Sequence, residues 1–196
     1  LIKWYTLNLL KMDDIWNKFR TIIGKSKDLA SFSIATIVTN VIGGIFWLYM
    51  ASLLGTEGYG EISYLISIGV LSSTIALAGM SNLLIVYGAK NVKIQSTIHF
   101  MGLISSGIAA SIIFFLVEDV TVSLYIIGFV IYSLVTAELI GRKLFIKYSK
   151  IIIIQKIILV VFSITLYHLM GLQGIMLGIA LSFFVFSFTL YQSFKE

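Results

Sequence analysis

The sequence predicts an all-α integral membrane protein with six transmembrane helices and both chain ends on the cytoplasmic side. Of its 196 residues, 59% are hydrophobic and only 12% are charged. Soluble domains carry about 25% charged residues, so this chain has too little polar surface to cover a water-facing globule. The distribution of the basic residues is the second observation behind this fold class.

Six apolar stretches approach or reach the roughly 20 residues that a helix needs to cross the hydrocarbon layer. We place them at Ser31–Leu54, Ile62–Tyr87, Ile98–Val117, Val120–Ile140, Ile151–Met170 and Gly174–Phe194. Six successive apolar segments cannot all be core helices of a soluble protein of this size. We therefore predict a leader over residues 1–29 and a six-helix transmembrane lobe over residues 30–196.

All 14 basic residues fall on one side of these spans. They are Lys3, Lys11, Lys18, Arg20, Lys25, Lys27, Lys90, Lys93, Arg142, Lys143, Lys147, Lys150, Lys156 and Lys195. The three loops on the other side contain no Lys or Arg. Because Lys and Arg are retained in the cytoplasm, this segregation predicts a multi-pass protein of the cell membrane with both ends inside. It also explains the net charge of +5 without a nucleic-acid partner.

The leader contains a candidate amphipathic helix over Met12–Ser26. Ile15, Phe19, Ile22 and Ile23 fall on one helical face, and the basic residues lie mostly elsewhere. A basic helix of this kind lies in the membrane interface. The alternative is a solvated leader without fixed structure.

Two of the predicted spans carry polar residues at helical spacing. In the first span these are Ser33, Thr36, Asn40, Gly43 and Trp47. In the second span they are Ser63, Ser67, Thr74, Ser81 and Asn82. Polar side chains in hydrocarbon need a partner or a water-filled cavity. Helix packing is the simpler explanation for the Ser and Thr residues, whereas packing and a cavity are equally good explanations for Asn40.

Ionisable residues inside the spans are few. Glu138 and Arg142 have the i, i+4 spacing of a helical ion pair. Lys156 lies slightly inside the fifth span, and this shallow depth favours extension of its side chain to the headgroups. The alternative is that it faces a cavity and attracts an anionic ligand. No acidic residue lies at mid-membrane, which argues against a carboxylate proton relay.

The composition gives no sign of an enzyme or of a metal or cofactor site. The chain has no Cys, which excludes disulfides and thiolate chemistry. His99 and His168 each stand alone in the sequence, at opposite membrane faces, and two separated histidines do not make a metal site.

Small residues mark two helix faces. Gly174 and Gly178 open the sixth span four residues apart. In the third span the small residues are Gly102, Ser105, Ser106, Ala109 and Ala110. Both faces predict close contacts between helices.

One segment resembles a known family. Leu54, Gly55, Tyr59 and Gly60 match the Leu-Gly-Pro-x-x-Tyr-Gly pattern of the first outer loop in Wzx-like polysaccharide flippases, with Thr56 where Pro is usual. These belong to the MATE-like multidrug/oligosaccharidyl-lipid/polysaccharide (MOP) exporter superfamily. Gly141-Arg142 with Tyr148, and Gly171 to Gly178, resemble later parts of the same lobe.

The resemblance implies a function. Such exporters have two six-helix lobes around a cavity and carry a lipid-linked saccharide across the membrane by alternating access. This chain would be the amino-terminal lobe, with membrane lipids around it and a second lobe or second copy as its partner. Cavity residues would be Thr36, Asn40, Trp47, Ser67 and Thr74, with Arg142 and Lys156 near the inner face.

The sequence leaves two other functions open. A cation-coupled drug exporter of the same superfamily usually needs an acidic residue in this lobe, for which Glu138 is the candidate. A membrane scaffold or subunit without transport activity is the other alternative.

Overall fold

The computed structural model is helical throughout the segments that it assigns, with no β-strand among them. It describes the backbone of residues 2–185 and 187, and the side chains of residues 30–185 and 187. The helices are α1 (Ile2–Leu77), α2 (Met80–Ala89), α3 (Gln95–Val117), α4 (Val120–Gly141), α5 (Phe145–Met170) and α6 (Leu172–Phe184). The predicted amphipathic face of Met12–Ser26 lies outside the described side chains, as does the end of the predicted sixth span.

Four helical segments in the described part of the chain are long and apolar enough to cross a membrane. They are Ala30–Leu77, Gln95–Val117, Val120–Gly141 and Phe145–Met170. The all-α class is therefore confirmed for the described residues, and these apolar helices are consistent with the predicted membrane protein.

Helix α1 reverses direction at Gly55. This residue has φ 67° and ψ −173°, a conformation that is essentially restricted to glycine. The rings of Trp47 and Tyr59 lie 6.0 Å apart between centroids, although 12 residues of straight helix would separate them by about 18 Å. Residues 30–54 and 56–77 thus form two limbs of a helical hairpin, which we call limb A and limb B.

A second break separates limb B from α2. Ala78 and Gly79 both have left-handed backbones, with φ 43° and 79°. The Ala78 N–H donates to the carbonyls of Thr74 and Ile75. The segment Ile62–Tyr87, predicted as the second span, is therefore not one continuous helix.

Helix α4 lies at the centre of the bundle. It packs against α3, α6, α2 and α1. Gly102 of α3 allows the approach of Leu134, and Gly69 of limb B allows that of Tyr125. On α3, Ser106 and Ala110 are buried as well, so the predicted small-residue face is a packing surface.

Helices α5 and α6 form the other close pair. A Cβ on Gly178 would lie 2.6 Å from both the Cα and the nitrogen of Ser163, and one on Gly174 would meet the carbonyl of Leu166. The predicted contact face of the sixth span is thus confirmed, and the partner is the preceding helix.

The two ends of the bundle carry opposite charges. Ser31 donates to Ser149 over 3.3 Å, which places the start of limb A beside the start of α5. Gly88 and Gly141 also meet at this end, next to the loops that hold Lys90, Lys93, Arg142 and Lys143. The hairpin turn with Glu57 and Glu61 instead lies beside Gly171 at the opposite end. We call these the basic and the acidic end.

Candidate functional site: a cavity beside limb A

A cavity of about 410 Å³ lies between the α1 hairpin and helices α4, α5 and α6. This volume falls within the range of small-molecule sites. Its wall consists of Thr36, Thr39, Asn40, Trp47, Ile66, Tyr125, Phe129, Tyr132, Tyr148, Ile152, Gln155, Lys156, Leu159, Ile179 and Phe183. Among the described lining residues, Lys156 is the only charged one.

Four of the predicted site residues meet in this wall. Thr36, Asn40 and Trp47 come from the polar face of limb A, and Lys156 comes from α5. Thr36 donates its hydroxyl to the carbonyl of Phe32, so it adds little free hydrogen-bonding capacity. Asn40 is exposed at the cavity wall, in the position that the cavity interpretation of this residue requires.

The ammonium group of Lys156 lies against limb A. Its Nζ is 3.2 Å from the position that a Cβ would occupy on Gly43. Of the two interpretations of Lys156, the structure has the one in which the side chain borders the cavity. Gly43 belongs to the predicted polar stripe, and its missing side chain provides the space for this ammonium group.

Aromatic rings form the opposite part of the wall. Tyr125 stacks on Phe129 at 5.8 Å between centroids, and Phe183 lies 5.5 Å from Tyr125 and 5.3 Å from Tyr132. The sequence analysis missed this cluster. The signal was the spacing of Tyr125, Phe129 and Tyr132 at i, i+4 and i+7, which places them on one face of α4.

Ser67 and Thr74 are not in the described wall of this cavity. Both are exposed, and their hydroxyls donate to the carbonyls of Ser63 and Val70 one turn earlier on limb B. Ile66 is the limb B residue that reaches the cavity, and Ser67 is turned about 100° away from it around the helix.

Arg142 lies at the basic end, away from this cavity. Its Nη2 is 2.9 Å from Oε1 of Glu138, which confirms the predicted ion pair. The other carboxylate oxygen of Glu138 is 2.8 Å from Nε2 of His99 on α3. The view of His99 as an isolated residue is therefore wrong. Glu138, 39 positions away in the sequence, contacts it where α3 packs on α4.

No cluster of three or more His, Cys, Asp or Glu side chains that could hold a metal ion is found among the described residues. Comparison with known proteins gives no match to a protein-family model, to a curated protein sequence or to a solved structure.

Proposed function

We propose that the chain is a six-span membrane lobe with its basic end in the cytoplasm. The reversal at Gly55 divides the 48-residue apolar segment into two limbs, of which limb A is long enough to span the hydrocarbon by itself. Limb B with α2 would form the second span, and α6 would form the last. The positive-inside rule supports the orientation, with both chain ends inside and the acidic end outside.

Within this topology, we propose that the lobe is the amino-terminal half of a flippase for lipid-linked saccharides. The observation that carries the proposal is the single cation, Lys156, in a wall of aromatic and hydroxyl groups. A cavity that has an ammonium group in one part of its wall and aromatic faces in another suits a ligand that combines an anionic group with a polyhydroxylated body. The phosphate would contact Lys156, and the sugar rings would lie on the aromatic cluster of Tyr125 and its neighbours.

The open side of the cavity supports alternating access. Asn40 lies in the cavity wall and is exposed, although it belongs to an apolar helical segment. Polar groups at membrane depth face protein or water rather than lipid. A second six-helix lobe, or a second copy of this chain, would complete the cavity along this side.

The drug-exporter alternative has less support. Lys156 would repel a cationic drug from the cavity. Glu138, the only acidic candidate that the sequence offers, is held by His99 and Arg142 and is not in the described cavity wall. A scaffold without transport activity gives no reason for a lysine in the wall of an otherwise uncharged cavity, so Lys156 favours the transport proposal.

Trp47 provides a direct test. The chain has three tryptophans, so a Trp4→Phe/Trp16→Phe background leaves Trp47 as the only one, in the cavity wall. The purified chain in nanodiscs is titrated with a short-chain prenyl-pyrophosphate-linked disaccharide, and the fluorescence of Trp47 is recorded. We expect saturable binding that weakens about tenfold or more in Lys156→Gln, since hydrogen bonds to charged groups contribute about 1.5–3 kcal/mol.

Lys150→Gln is the matched control, because Lys150 is exposed on the same helix and is not in the described cavity wall. Equal weakening in both variants, or no saturable change in the parent, contradicts the proposal. Tight binding of ethidium by the parent chain would instead support the drug-exporter alternative.

A further inference from the structure

A second cavity lies at the basic end and plays no part in the proposed transport site. Its volume is about 570 Å³, and it lies between the α2–α3 loop and the α4–α5 loop. The described wall consists of Gly88, Asn91, Lys93, Gln95, Ser96, Arg142 and Leu144. Both loops join the cytoplasmic ends of apolar helices, so the cavity lies at the depth of the lipid headgroups in the proposed topology.

The wall of this cavity is basic. Lys93 and Arg142 contribute two positive charges, and no carboxylate is among the described lining residues. Arg142 is ion-paired with Glu138, which offsets part of its charge, and Lys93 adds an ammonium charge to the same wall. Asn91, Gln95 and Ser96 add polar side chains, of which the Gln95 amide also donates to the carbonyl of Val92. Gln95 and Ser96 open α3, where the first backbone N–H groups have no partner within the helix.

The ion-paired network of His99, Glu138 and Arg142 holds one of these cations in position. His99 is fully buried, and the side chain of Glu138 is only 6% exposed. Glu138 contacts both His99 and Arg142, so the guanidinium group is fixed to α4 beside the cavity. A fixed guanidinium group loses less conformational entropy on binding a phosphate than a mobile side chain does.

We propose that this cavity binds the phosphate of an anionic membrane phospholipid from the cytoplasmic leaflet. Basic pockets between transmembrane helices on this side are typical sites for anionic headgroups. The choice of a lipid over free phosphate follows from the place of the cavity, where Gly88 lies in the last turn of an apolar helix and Leu144 precedes another. The site is separate from the cavity beside limb A, and this proposal does not require that the chain transports saccharides.

The test measures how many lipid molecules bind to the full chain. The protein is purified in detergent and titrated with phosphatidylglycerol, phosphatidylcholine or inorganic phosphate, and bound molecules are counted by native mass spectrometry. We expect phosphatidylglycerol to bind and phosphatidylcholine to bind at least about fivefold more weakly, given the contribution of each basic residue near an anionic headgroup.

Two variants address the cavity without disturbing the core. Lys93→Gln removes an exposed charge, and Asn91→Asp adds a carboxylate of nearly the same shape at a left-handed position that Asp tolerates. We expect each to weaken phosphatidylglycerol binding about fivefold. Lys150→Gln removes a charge at the same end that is not in the described wall, and we expect no change.

Three outcomes would overturn the proposal. Equal losses in Lys93→Gln and Lys150→Gln would indicate general surface charge. Equal retention of the two lipids would indicate no headgroup selectivity. Displacement of phosphatidylglycerol by millimolar inorganic phosphate would indicate a site for a free anion.

Discussion

The Nε2 atom of His99 lies 2.8 Å from Oε2 of Glu138, and the packing of α3 on α4 buries both side chains. Glu138 also pairs with Arg142, whose side chain is 28% exposed. The carboxylate thus connects the buried contact between two helices to the basic end. This arrangement suits a structural role, because the carboxylate of Glu138 has both the guanidinium group of Arg142 and the ring nitrogen of His99 as partners.

The first prediction concerns this network. Glu138→Ala should lower the free energy of unfolding by about 3 kcal/mol, because it leaves polar groups buried without their acceptor. Glu138→Gln should cost less, since the amide oxygen still accepts from His99. A double-mutant cycle of His99→Ala and Glu138→Ala, measured by unfolding in mixed detergent micelles, should give a coupling of about 1 kcal/mol. Strict additivity of the two single changes would contradict the contact.

The second prediction concerns the packing of α5 on α6. Gly178→Ala should lower the unfolding free energy by about 1–3 kcal/mol, because its Cβ would lie 2.6 Å from backbone atoms of Ser163, which cannot easily move. Gly107→Ala is the control, since a Cβ there meets nothing within 4 Å. Helix propensity should make that variant neutral or slightly more stable. A loss of stability as large in Gly107→Ala would show that packing is not the cause.

Structural features that depend on the spacing of neighbouring residues can be predicted from the sequence. The ion pair of Glu138 and Arg142 follows from their i, i+4 positions, and the turn at Gly55 follows from its glycine-rich surroundings. His99 could not be assigned to Glu138, because their contact depends on the rotation of α3 against α4. The break in the helix at Ala78 could not be predicted either, since alanine has no preference for a left-handed backbone and the segment contains no proline.

The cavity, too, was predictable only where it depends on local spacing and not where it depends on how the helices pack. The helical spacing of Thr36, Asn40 and Trp47 places them on one side of limb A, and the structure brings this side to the cavity. The shallow depth of Lys156 favoured extension to the headgroups, whereas its side chain borders the cavity, because a long side chain near a helix end can extend either way. Which side of limb B faces the cavity is set by the angle of the hairpin, so Ile66 rather than Ser67 reaches it.

The third prediction concerns orientation. The chain has no cysteine, so a membrane-impermeant maleimide reports only on an introduced thiol. Glu57→Cys, at the acidic end, should be labelled in intact cells. Lys150→Cys, at the basic end, should be labelled only after the membrane is made permeable, because basic loops remain in the cytoplasm. The opposite pattern would reverse the proposed topology.

The last prediction concerns water in the cavity beside limb A. Asn40→Cys lies at the cavity wall, whereas Ile45→Cys lies on another side of the same limb, where the native side chain is 64% exposed and its neighbours are apolar. Only the thiolate reacts with a charged thiosulfonate, and a thiol in lipid remains protonated. In membranes, Asn40→Cys should therefore react at least about tenfold faster than Ile45→Cys. The prenyl-pyrophosphate disaccharide should slow the reaction at position 40 alone. Similar rates at the two positions would mean that limb A faces lipid on both sides, and the proposed cavity would lose its aqueous access.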